Sequence, residues 1–174
     1  MRFISSGMAI DENDLSQRVI LKLSDDPIQI IPNLWTTGEI YDRPEPLGSS
    51  ANLFIKYRDS WLPDPYIDDL SLVWKTEKGL VLICGCCHAG ILNTMIHVEK
   101  IFKSSINSVI GGTHLISVDD QYLDYVINVF EDCYPKTSFY LNHCTGTNAF
   151  MKLTTALGQR VKACPAGMIL SFND

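Results

Sequence analysis

The sequence predicts an α/β domain, a sheet with helices packed against it. Three observations carry that reading. A strand-like apolar run, a short glycine-bearing loop and a helix-periodic segment succeed one another three times between residues 79 and 157. The 174 residues are 46% hydrophobic and 20% charged, an ordinary globular composition. A chain of this length buries about 70% of its unfolded surface in one core, so a single domain over residues 1–174 is expected. Eleven glycines and eight prolines are too few for a collagen-like or low-complexity chain.

The elements follow in order. Residues 18–23 (RVILKL) and 28–31 (IQII) read as short strands separated by the turn Asp25-Asp26-Pro27. NLWTTGEIYDRPEPLGSS, punctuated by Pro44, Pro46 and Gly48, reads as irregular. WLPDPYIDD, with Pro63 and Pro65, reads as a second loop. Loops this long in a compact domain are binding loops or signs of a missing piece. Residues 70–75 (LSLVWK) and 79–84 (GLVLIC) flank Thr76-Glu77-Lys78 as a β-hairpin. A helix follows over 91–103, with Ile91, Leu92, Met95, Ile96, Ile101 and Phe102 near helical spacing. INSVI (106–110) is a buried-type strand. The next helix, 120–133, buries Tyr122, Leu123, Val126, Ile127, Phe130 and Cys133, with Asp119 or Asp120 as its cap. TSFYL (137–141) is a strand, and 147–157 is a helix stopped by Gly158. RVKAC (160–164) and GMILSF (167–172) close the chain as strands.

Charge and cysteine content narrow the function. Fourteen Lys and Arg against twenty Asp and Glu give a net charge of −6, and no basic run stands out. A nucleic-acid partner needs a concentrated positive face, so none is expected. The opening MRFISSGMAIDENDLSQR lacks an apolar core of signal-peptide length. The longest apolar stretch, 79–92, contains His88 and is too short to span a bilayer. No membrane association and a cytoplasmic location are therefore expected. The six cysteines are Cys84, Cys86, Cys87, Cys133, Cys144 and Cys164. Neighbours such as Cys86 and Cys87 rarely meet disulfide geometry, so free thiols are expected.

Three of four histidines occupy equivalent places. His88 (in GCCHAG), His114 (in GGTHL) and His143 (in NHCTG) each follow a strand, lie beside glycine and precede a helix. The carboxyl ends of strands are where α/β sheets hold ligands. Three imidazoles at one sheet edge suit a borderline cation such as zinc. A lone histidine is more often a satisfied polar residue, and His97, inside a helix, is read that way. Cys84, Cys86, Cys87 and His88 could ligate a structural metal, but the partner pair of a zinc knuckle is absent elsewhere in the sequence. Cys144 is a poor partner for its neighbour His143, because adjacent side chains rarely form a Cys–His pair. Most of the cysteines read as small buried hydrophobes. Gly90 and Gly146 stand ahead of helices, where free N–H groups hold anions or where tight turns simply need glycine. Asp68 and Asp69 read either as base or ligand, or as turn residues.

The motifs LICGCCHAGILNT, SVIGGTHL and LNHCTGTNAF, with CPAG near the end, resemble the C-terminal half of metallo-β-lactamase-fold proteins. They are most similar to the subgroup that includes the archaeal dihydropterin–ribofuranosylaminobenzene phosphate synthase. LWTTGEIYDR and DPYIDDLSLVW resemble that subgroup's middle section. The resemblance runs from Asp25 to the C-terminus and leaves residues 1–24 poorly matched. It implies half of an αββα sandwich: a mixed sheet with helices on one face and a divalent-metal site at its rim. It assigns His88 and His143 to metal ligands, and His114 to a ligand or a substrate contact. Cys87 stands where the subgroup usually has Ser. The HxHxDH signature of the superfamily's N-terminal half is absent from this sequence.

Three functional readings follow. The first is a metal-dependent hydrolase or transferase. His88, His114 and His143 hold a divalent metal, zinc by preference, and Gly111, Gly112, Thr145 and Gly146 meet the anionic group of a small, phosphorylated or otherwise acidic substrate. The second is a non-catalytic half-domain, a truncated relic or a subunit of a split enzyme. Its uncovered sheet face would call for a homo-oligomer or a complementing subunit carrying HxHxDH. The third is a thiol enzyme using Cys86, Cys87 or Cys144.

Overall fold

Val73, Leu82, Val109, Phe139 and Val161 stand opposite one another on five successive strands and form a single row across the sheet. Side chains alternate faces along a strand, so this row fixes which face each strand buries. The computed structural model describes residues 10, 12–48 and 53–172. A short helix α1 (Glu12–Ser16) precedes strands β1 (Gln29–Ile31), β2 (Leu34–Thr36), β3 (Phe54–Tyr57), β4 (Ser60–Pro63), β5 (Leu72–Thr76) and β6 (Gly79–Ile83). Three units follow: α2 (Ile91–Phe102) and β7 (Ile106–Gly111), α3 (Asp120–Asp132) and β8 (Ser138–Leu141), α4 (Thr147–Leu157) and β9 (Val161–Ala163). The main sheet runs β1-β2-β5-β6-β7-β8-β9, and β3 and β4 pair separately as a hairpin. β1, β2, β5 and β6 pair antiparallel, whereas β6, β7, β8 and β9 are parallel. The expected mixed sheet is therefore present.

The helices pack on the face that carries the row. Ile91, Leu92, Met95 and Val98 of α2, Leu123, Val126 and Phe130 of α3, and Ala149, Leu153 and Leu157 of α4 join it in one core. The Phe130 and Phe139 rings stack at 4.3 Å. Of the two capping candidates, Asp119 is the cap: its side chain accepts the Tyr122 N–H at 2.8 Å. Gly158 ends α4 at φ 57, as expected of a helix stop.

Two expected strands do not form. Residues 18–23 leave α1 through a turn, with the Arg18 and Val19 N–H groups bonded to the Leu15 carbonyl. Ile20 is then 90% exposed, with no strand beside it to satisfy its backbone. Residues 167–172 also stay outside the sheet. They cross the face away from the helices, where the Phe172 ring meets Trp74 at 5.9 Å and Tyr140 at 6.1 Å. Conversely, β2 and most of β4 arise in stretches read as loops, and β3, between them, arises where no element was read. Their turns use the left-handed residues Asn33 (φ 66) and Arg58 (φ 54). Residues 1–9 of the opening segment and Ser49-Ser50 of the first long loop lie outside the described residues. Among the described residues, no helix is long and apolar enough to cross a membrane.

The row carries the fold's stability. Phe139→Ala removes a fully buried ring and should cost about 3–5 kcal/mol, whereas Ile169→Ala should stay within about 0.5 kcal/mol. Denaturant unfolding with matched m-values measures both.

Candidate functional site

Parallel pairing brings the carboxyl ends of β6, β7 and β8 to one edge, so the loops bearing His88, His114 and His143 lie side by side. Backbone hydrogen bonds sew the loops together. The Gly112 N–H reaches the Gly85 carbonyl at 3.3 Å, Asn142 reaches Gly111 at 3.1 Å and Ile116 reaches Cys144 at 3.1 Å. His114 (φ 53), His143 (φ 46) and Cys87 (φ 56) adopt the left-handed conformation. Non-glycine residues rarely sit there, and such strain concentrates where a side chain must be aimed.

The histidines divide. The rings of His88 and His114 meet edge to face at 4.6 Å, and Tyr66 covers His88 at 4.8 Å. His143 is exposed on a single 3-10 turn. Burial, then the charge of His88, lowers the His114 pKa; Asp69 opposes this, and His143 adds a smaller lowering. All three imidazoles and Asp69 thus share one electrostatic neighbourhood. Asp69 is more than a turn residue, since its carboxylate accepts the Ala89 N–H at 2.8 Å and tethers the loop behind His88. His97 is a satisfied core histidine, with Nε2 3.1 Å from the Thr37 carbonyl.

The loops read as irregular form the cover of this edge. Asn93, fully buried in α2, accepts the Glu45 N–H at 2.8 Å and donates to the Glu45 and Ala89 carbonyls at 2.8 and 2.7 Å. Arg43 donates to the Pro65 and Tyr66 carbonyls, both at 2.6 Å, and so joins this strap to the loop that holds Tyr66. A side chain at Gly48 would meet the Cys87 carbonyl at 2.6 Å and the Cβ of His114 at 3.1 Å.

The four candidate substrate contacts also separate. Thr145 and Gly146 line a cleft of about 310 Å³ together with His143, Asn142, Thr147 and Phe150. Gly111 and Gly112 are buried and do not line it; they pack against the Cys84 carbonyl and the Cys144 thiol respectively. A larger cleft of about 540 Å³ between α3 and α4 contains none of the candidate residues.

Sequence reasoning passed over one group. The Cys86 Sγ lies 3.2 Å from the His114 Nδ1 and 2.9 Å from the Cys144 Sγ. The metal-binding atoms of Cys86, His114 and Cys144 all lie within 4.8 Å of one another. Among the described residues they are the one such group; the three histidines together do not form one. Cys84, Cys87 and Cys164 are buried, as expected of small hydrophobes, while Cys133 is exposed and all six thiols are unpaired. Burial, reinforced by the Cys144 thiol, pushes the Cys86 thiol up to about 12. The Cys87 thiol is likewise held well above the ordinary cysteine value, by its hydrogen bond to Cys84 and then by burial. Neither is a thiolate nucleophile at neutral pH.

The chain has relatives among known proteins. No family model matches the chain. It is 31% identical over 156 residues to the 7,8-dihydropterin-6-methyl-4-(β-D-ribofuranosyl)-aminobenzene-5'-phosphate synthase of Methanocaldococcus jannaschii, covering 86% of this chain and 52% of the synthase. An uncharacterised protein of the same organism is 38% identical over 93 residues, 52% of this chain and 32% of that protein. The chain thus spans about half the length of the first relative and about a third of the second. The crystal structure of Tm1679, a metal-dependent hydrolase of the β-lactamase superfamily, superposes with a TM-score of 0.82 at 25% identity, over 94% of this chain and 63% of that one.

The electrostatics give a signed expectation. In metal-free protein the His114 imidazole should titrate below the ordinary histidine value. Asp69→Asn should lower that midpoint further and His143→Ala should raise it, as read from the Cε1–H resonance against pH. Because the folded value is lowered, the unfolded chain takes up the proton first on acidification, and His114 costs stability as pH falls below the ordinary value. Asn93→Ala leaves the Glu45 N–H and two carbonyls without their buried partner and should cost about 2–4 kcal/mol in denaturant unfolding.

Proposed function

We propose, from the premise that the chain belongs to the metallo-β-lactamase superfamily, that it is a divalent-metal-dependent hydrolase or transferase acting on a small anionic molecule. The observation that carries this reading is the contact of the His88 and His114 rings at the edge where three parallel strands end. His88, His114 and His143 supply imidazole donors, and zinc is the borderline cation that suits them. Such an ion supplies Lewis acidity, acidifying water and polarising a phosphoryl or carbonyl oxygen.

The remaining work falls to this chain's own groups. Asp69 holds the His88 loop through Ala89, and Tyr66 keeps one side of the His88 ring out of water. Thr145 and Gly146, with His143 beside them, receive the substrate's anionic group in their cleft, and Gly111 and Gly112 let the neighbouring loops pack closely behind it. A phosphate, the anion in the synthase relative's name, is the favoured group. The six unpaired thiols favour a reducing compartment such as the cytoplasm.

Three histidines suffice for one ion with an open position, whereas a two-metal centre needs more donors. No H-x-H occurs in this sequence. The further donors, and the acid that orients water, are proposed to come from residues outside it, on the same polypeptide or on a complementing subunit. The sheet face away from the helices supports a partner there, because Ile83, Ile110 and Tyr140 on it remain only half-buried.

Metal content per purified chain tests the proposal. The parent should carry divalent metal, and His88→Ala and His143→Ala should each lower the amount. A metal-free parent, or an unchanged content in both variants, would overturn it.

A further inference from the structure

Two features lie outside the function just proposed: the cleft between α3 and α4, and the thiols behind His114. The thiols carry an argument furthest. Cys86 reaches this point from the loop after β6, His114 from the loop after β7 and Cys144 from the turn after β8. Residues 58 positions apart put their sulfurs 2.9 Å apart, with an imidazole nitrogen 3.2 Å from one of them.

We infer that Cys86 Sγ, Cys144 Sγ and His114 Nδ1 form a thiolate-rich site for a soft or borderline metal ion, sharing only His114 with the imidazole rim. Three donors within 4.8 Å of one another match the spread of ligands around one tetrahedral ion. Two thiolates and one imidazole form a donor set that zinc uses where it keeps a fourth position open. Softness sets the preference, since thiolates select zinc, cadmium and monovalent copper over magnesium or calcium.

The surroundings fit a coordinated sulfur. The His114 N–H already points at the Cys144 Sγ at 3.2 Å and can stay there when the thiol proton is gone. A side chain at Gly112 would meet that sulfur at 2.6 Å, so glycine keeps the space around it open. Asp69 places a negative charge within electrostatic reach of both Cys86 and His114. Binding a divalent ion transfers one proton from each thiol to solvent and leaves a neutral ion–dithiolate unit. The Nδ1 of His114 serves this site, which leaves the opposite ring nitrogen for the rim. The inference does not rest on the rim's function.

Cobalt(II), added to the reduced full-length chain, tests it by absorption. A thiolate-to-cobalt charge-transfer band should appear in the near ultraviolet and saturate at one ion per chain. The band should persist in the His88→Ala/His143→Ala double variant and vanish in Cys86→Ser and in Cys144→Ser. No band, a band surviving both serine variants, or a band lost with the rim histidines would each overturn the site. Should the serine variants not fold, cadmium added to the parent decides. A thiolate-to-cadmium charge-transfer band should appear in the ultraviolet, and it should be retained in Cys133→Ser, which removes the exposed thiol. No band, or a band lost with Cys133, would refute the assignment.

Discussion

The parallel register of β6, β7 and β8 is the constraint on which the rest of the structure depends. Leu82, Val109 and Phe139 stand opposite one another, so the three strands end at the same level and their loops emerge as neighbours. A one-residue slip of β7 would turn Val109 away from the helices and move His114 relative to both flanking loops. Burial of the row therefore does two jobs. It stabilises the sheet, and it sets where three histidines and two cysteines meet. The chemistry is positioned by apolar contacts that lie beneath it.

Above that edge the chain spends polar contacts on holding loops. Asn93 and Arg43 fasten the strap over the α2 start and the Tyr66 loop, and Asp69 fastens the loop behind His88. These are side chain to backbone bonds, several of them buried or charge-assisted, which are the stronger kinds. They offset the cost of keeping His114, His143 and Cys87 in left-handed backbone. Cys87, His114 and His143, with Tyr66 beside them, are left-handed at the edge that carries the ties, while the opposite edge shows, among the described residues, two such residues, Asn33 in the β1–β2 turn and Lys103 after α2. That distribution marks the loop edge as the part of the fold shaped for something other than stability.

The legible parts of the sequence were those with local signals. α2, α3 and α4 carry apolar stripes at helical spacing, and Asp119 and Gly158 mark their ends. The three loop histidines were legible because strand, glycine loop and helix recur around each. β2, β3 and β4 were not, because each spans three or four residues and is fixed by a partner rather than by its own pattern. Residues 18–23 failed in the opposite way: their apolar character has no strand to pair with. The Cys86–His114–Cys144 group had no linear signal at all. Its members come from three loops, and the approach of Cys144 depends on Gly112 having no side chain.

The same group decides what the cysteines can be. A nucleophilic thiol needs its proton gone near neutral pH, which calls for positive charge or a helix N-terminus beside it. Cys86 has the reverse: burial, a second thiol and the Asp69 carboxylate all hold its proton on. His114 offers no relief, since its own pKa is lowered and the ring stays neutral. A neutral imidazole beside a Cys86 thiol that keeps its proton and a nearby carboxylate is a poor catalyst for thiol chemistry. It is a good receptor for a cation, because each of those groups gains by meeting one: the thiol loses its proton, the imidazole keeps its lone pair available, and the carboxylate finds its counter-charge. Electrostatics that argue against a thiol enzyme argue, by the same signs, for metal at this edge of the sheet.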